Sequence, residues 1–107
     1  MRYVLALVVP LLSPPAFAQA AAPSAERQRE IVHLVRQDCG SCHGMTLQGG
    51  LGPSLKPDVL RGKPVDSLVA TIYGGRPGTP MPPWHRFLTE AESQWVVEQL
   101  LRGFPDQ

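Results

Sequence analysis

The sequence has 107 residues, 43% of them hydrophobic, with ten basic and nine acidic side chains. That length supports one small domain and no more. The near-neutral balance, with no basic stripe, excludes a binder of nucleic acid or anionic membrane working through bulk charge, and two cysteines are too few for a disulfide framework.

The chain opens on Arg2, an apolar run over residues 3–12, the break Ser13-Pro14-Pro15, and the small-x-small string Ala16-Phe17-Ala18. This pattern predicts a secretory signal peptide over residues 1–18, cleaved to leave a mature domain of residues 19–107. A retained anchor is the alternative, but the apolar run is too short to span a bilayer. No cysteine follows the cleavage site to carry a lipid. The expected location is therefore the periplasm, with no membrane span after cleavage. A domain of this size has a marginal core and needs a further stabilising device. A disulfide between residues three apart closes too short a loop to supply one, whereas a buried apolar macrocycle gives short helices a common packing surface.

Ser24 is a fitting N-cap for a first helix, with Glu26 in the first turn where a negative charge suits the helix dipole. Ile31, Leu34 and Val35 fall at i, i+3 and i+4 and give this helix one apolar stripe. His33 on the same helix reads as a surface or core-edge histidine. The stripe leads into Cys39-Gly40-Ser41-Cys42-His43, a C-x-x-C-H string that uses both cysteines of the chain. Such a string attaches haem c: two thiols add to the vinyl groups of one haem, and the adjacent imidazole is the proximal iron ligand.

Residues 44–63 are rich in glycine and proline and predict an irregular loop, with a short helical turn over residues 57–61. Pro64 then starts a helix over residues 65–73, with Gly74 as its stop. Val65, Leu68, Val69 and Ile72 recur at helical spacing there and read as core. Residues 74–87 contain four prolines, which exclude a regular helix or strand. The last helix begins at Thr89, where Thr89-Glu90-Ala91-Glu92 is a capping box, and runs to about Arg102 before Gly103. Its inner face is expected to be Trp95, Val96, Gln99, Leu100 and Gly103, packed across the first helix. No repeat and no β-pattern is evident, so the fold class is all-α.

An electron-transfer haem needs a second axial ligand opposite His43, and Met81 is the candidate. It lies 38 residues downstream in a loop whose Pro80, Pro82 and Pro83 restrict the backbone and lower the ordering cost of presenting the sulfur. A thioether opposite a histidine raises the reduction potential. Met45 is too close in sequence to reach the other haem face; His85, in the same loop, is the rival as an alternative or switched ligand. The other ring nitrogen of His43 needs an acceptor to fix its orientation. The expected acceptor is the carbonyl of Pro53 in Gly52-Pro53-Ser54-Leu55, with a plain turn as the alternative. Trp84, Tyr73 and Arg76 are candidates to line the pocket or meet the propionates.

The C-x-x-C-H string, the G-P-x-L segment and the P-M-P-x-W loop before a capped helix resemble class I c-type cytochromes over the whole mature chain. The stretches Val35 to Gly44, Asp66 to Ile72 and Gly75 to Trp84 are similar to the NirC branch, small periplasmic monohaem cytochromes of nitrite-reductase gene clusters. The resemblance implies a small class I cytochrome c fold, three to four helices around one covalently bound haem c with His/Met ligation. It also implies electron delivery to cytochrome cd type nitrite reductase in denitrification, or assistance in maturing that enzyme's d-type haem. The expected partners are that reductase and an upstream periplasmic or membrane donor. The expected protein is a monomeric electron carrier and not an enzyme. From another class, a thiol-disulfide oxidoreductase using Cys39 and Cys42 lacks the βαβ pattern that carries such motifs, and a zinc module lacks a second ligand pair.

Overall fold

The structure is a computed structural model that describes Pro10 and residues 22–106. The expected signal peptide, residues 1–18, lies outside the described residues apart from Pro10. All regular structure among the described residues is helical: α1 (Ala25–Leu34), α2 (Gly40–His43), α3 (Pro57–Leu60), α4 (Val65–Gly74) and α5 (Glu90–Arg102), with a π-helical segment, Val35–Cys39, joining α1 to α2. None of these helices is long and apolar enough to cross a membrane.

Ser24 caps α1, its side chain accepting from the Arg27 amide at 3.2 Å. The stripe of α1 buries Ile31 and then Val35. Beyond Val35 the helix widens, the Gly40 amide donating to the carbonyl of Val35 five residues back. The wide turn inserts one extra residue, so the next buried position is Gly40 instead of Cys39, and His43 follows. The helix thus turns Gly40 and His43 inward and leaves Cys39 half-buried and Cys42 exposed.

Thr89 and Glu92 form the expected capping box of α5. The core gathers Ile31, Val35, Leu47, Leu60, Leu88, Trp95, Val96 and Leu100, drawn from α1, the π-helical segment, the loops, α3 and α5. The nearest helix neighbours of α5 are α4 and α3, and α1 meets it through side chains rather than by close backbone crossing. The buried face of α5 is also wider than expected: Ser93 and Val97 join it, while Gln99 is half-buried and Gly103 exposed. Ser93 can be buried because its hydroxyl donates to the Thr89 carbonyl at 2.9 Å.

Helix α4 departs from the core role expected of it. No residue of α4 is buried: Val65 is 41% exposed, and Leu68 and Ile72 only lean on the core from its edge. One side of α4 packs on α5, and so short a polypeptide supplies no second layer for the other side. The helix also runs through Gly74, and Gly75, at φ 68°, is the residue that ends it.

Arg27 locks α1 to the start of α5. Its guanidinium donates to Glu92 at 2.8 Å and 3.1 Å, to Glu30 at 2.8 Å and to the Phe87 carbonyl at 2.7 Å. The hydrogen bond from Arg27 holds the Glu92 carboxyl below its ordinary value, helped by the Thr89 amide and opposed by partial burial. A depressed folded-state pKa means stabilisation that is present above the unfolded value and lost as pH falls through the folded one. Arg27→Ala is therefore expected to cost about 1 kcal/mol at neutral pH, a figure kept small because the pair is partly solvated. The difference from the parent protein should shrink in urea titrations repeated at about pH 3, leaving the part due to the Phe87 carbonyl, which does not titrate.

Candidate functional site

The C-x-x-C-H string lies on the last turns of the α1–α2 helix, so Cys39 and Cys42, three residues apart, project from adjacent turns. Both thiols are free. Burial, with a smaller push from Asp38, raises the Cys39 thiol to about 11. A redox dithiol works instead through a thiolate held low, so neither the thiol nor the all-helical fold suits the oxidoreductase alternative.

His43 closes the string and is buried to 9% exposure. Its Nδ1 lies 2.7 Å from the Pro53 carbonyl oxygen. A carbonyl can only accept, so Nδ1 carries the hydrogen and Nε2 presents a lone pair. The loop after the string holds this arrangement from behind. The Gly49 amide donates to the His43 carbonyl at 2.7 Å and the Gly52 amide to the Cys42 carbonyl at 2.7 Å. Gly52 lies flat against the imidazole, and a Cβ there would stand 2.8 Å from both Cε1 and Nδ1. Leu47 anchors the same loop in the core at φ 61°, its carbonyl accepting from the Leu55 amide at 2.9 Å. A left-handed leucine costs on the order of 1 kcal/mol, which burial of its side chain offsets.

Met81 is half-buried in the irregular segment after α4. Its carbonyl accepts from the Arg76 amide at 3.1 Å, and its amide donates to the hydroxyl of Thr79 at 3.3 Å. Just downstream, the Trp84 and His85 amides donate to the Ile72 and Tyr73 carbonyls at 3.0 Å and 3.2 Å, tying the segment back onto α4. The rivals stand elsewhere. His85 is exposed, its ring 5.8 Å from that of Tyr73. Met45 is 59% exposed, and its Sδ sits beside Gly40. Trp84 packs on the core, whereas Arg76 is exposed and engages Met81 through its backbone.

The donor set fits a haem: two unpaired thiols on adjacent helical turns, an imidazole with Nδ1 fixed by the Pro53 carbonyl, and a thioether on a pinned loop. The partly uncovered apolar side of α4 is of the right character to meet a macrocycle. Sequence reasoning missed Gly52, Leu47, Arg27 and Gly75. Only Gly75 had a signal, the doubled glycine at residues 74–75, and that signal was assigned to its first member.

Fold and site together define a small monohaem c-type cytochrome. Residues 26–99 match the family described as cytochrome c oxidase, cbb3-type, subunit III. The chain is 54% identical to cytochrome c55X of Stutzerimonas stutzeri over 104 residues, covering 97% of this chain and 90% of that protein. Among solved structures it is similar to the c-type cytochrome NirC, with a TM-score of 0.74 and 57% identity over 76% of this chain and 95% of that one. The chain belongs to this family of c-type cytochromes, which includes cytochrome c55X and NirC, and haem c is its covalently bound cofactor. It is also similar to part of the dihydro-heme d1 dehydrogenase NirN, with a TM-score of 0.60 and 33% identity over 70% of this chain but only 16% of that one.

Proposed function

We propose that this protein is a periplasmic one-electron carrier that delivers electrons to cytochrome cd type nitrite reductase in denitrification. In this reading residues 1–18 are removed on export, and residues 19–107 form a single monohaem domain. Cys39 and Cys42 would hold the haem covalently, and His43 and Met81 would ligate its iron. The bound haem supplies a one-electron iron couple, and no catalytic group is assigned to the chain.

The observation that carries the reading is the His43 Nδ1 to Pro53 contact of 2.7 Å. It fixes the tautomer, aims Nε2 away from its own loop and makes the imidazole a stronger donor. An imidazole held in this way changes little between iron oxidation states. The thioether of Met81, softer than a second imidazole, favours iron(II) and sets a higher potential. Docking on the reductase and on an upstream donor is expected to be small in area and transient.

The likeness to a short part of NirN favours a second reading, in which the protein assists maturation of the reductase's d-type haem. Two measurements separate them. Stopped-flow mixing of the reduced cytochrome with purified, mature reductase should give rapid electron transfer, and a deletion strain should still make reductase with its full d-type haem content. No transfer in the first, with haem-deficient reductase in the second, replaces the carrier by the maturation factor.

A further inference from the structure

We infer that Gly75 is a positioning residue for the iron ligand: the Met81 loop closes directly over its Cα, and the absence of a side chain there sets where the Met81 sulfur can reach. The inference rests on the assignment of Met81 as axial ligand. A Cβ on Gly75 would lie 2.6 Å from the Pro83 nitrogen, 2.7 Å from the Pro82 carbonyl carbon and 2.9 Å from the Met81 carbonyl oxygen. All three are backbone atoms, and two belong to prolines, so no rotamer change can relieve the contact. The next residue, Arg76, donates its amide to that same Met81 carbonyl at 3.1 Å. One glycine therefore underlies both the steric floor and the hydrogen-bonded neck of the loop. Its φ of 68° adds a second reason for glycine. An added methyl must lift residues 81–83 off the end of α4 and carry the methionine side chain with them.

Two other glycines separate the possible causes. Gly78 has a similar φ of 78° but nothing within 4 Å of its would-be Cβ, and Gly74 is helical with nothing within 4 Å. Gly78→Ala thus carries backbone strain in the same loop without the clash, and Gly74→Ala carries neither. The holoproteins are compared by the far-red sulfur-to-iron(III) charge-transfer band, by imidazole titration of the oxidised iron and by far-ultraviolet circular dichroism. Gly75→Ala should retain covalent haem and parental helix content, lose most of the far-red band, and bind imidazole at least about tenfold more tightly, because the internal ligand competes less well. Gly78→Ala and Gly74→Ala should keep the band and stay within about twofold of the parent in imidazole affinity.

Gly75→Ala behaving like Gly78→Ala in band and imidazole affinity overturns the inference. So does loss of helix content together with the band, since the effect is then not confined to the loop. A parent protein without the far-red band, or a Met81→Ala variant that keeps it, refutes the ligation itself and the inference with it. A parent band that disappears in Met81→Ala and survives in Gly75→Ala refutes the positioning role alone.

Discussion

Cys39→Ser/Cys42→Ser is expected to yield a polypeptide without covalent haem and, in consequence, without a stable fold. The chain has no other cysteine to form a thioether, so the attachment step has no substitute. Single replacement of Cys42 should already prevent the normal two-bond attachment. The check is whether haem stays with the polypeptide after denaturation, read by haem stain and intact mass; normal two-bond attachment in Cys42→Ser sinks the model. The loss of fold follows from how little the polypeptide buries by itself. Among the described residues the buried apolar ones are nine, from Ile31 to Leu100, and α4 contributes none of them. Cores of this size supply about 3–5 kcal/mol at best, and a single-digit margin does not survive loss of the surface that several short helices share. The double variant should therefore show mostly disordered far-ultraviolet dichroism at 25 °C. A cooperative helical unfolding transition in that variant would falsify the claim that the macrocycle is part of the core.

The same shortage explains which parts of the fold were legible in the sequence. The ends of α1 and α5 were readable because their caps are local: Ser24 and the Thr89–Glu92 box satisfy amides within three residues. The helical spacing of Val65, Leu68, Val69 and Ile72 correctly marked a helix, but periodicity reports an apolar face and not what covers it. In α4 that face is only partly covered: Leu68 and Ile72 lean on the core while Val65 stays exposed, so the reading of these residues as core holds only in part. The π-helical turn before Cys39 has no local signature, since it depends on where Val35 and Gly40 are both buried. The roles of Gly52 and Gly75 were hidden for a related reason, although the doubled glycine at residues 74–75 marked a break there. Each is defined by how the chain folds back on it, the His43 ring on Gly52 and the backbone of residues 81–83 on Gly75, and a turn-forming residue type does not announce that close approach.

Met81→Ala should remove the weak far-red band of the oxidised protein and lower the reduction potential by on the order of 0.1 V or more, because a soft thioether that favours iron(II) is lost. His85→Ala should leave both properties close to the parent. The structure gives this asymmetry a physical basis. Met81 is half-buried, with its backbone held by Arg76 and Thr79 between flanking prolines, so little conformational freedom remains to be lost when the sulfur binds. His85 is exposed beside Tyr73, with its amide committed to the Tyr73 carbonyl, and its side chain lacks the partial burial that restricts Met81. Ligation by His85 in place of Met81 would supply a ligand that lowers the potential. The opposite pattern, with the band surviving Met81→Ala and vanishing in His85→Ala, reverses the assignment.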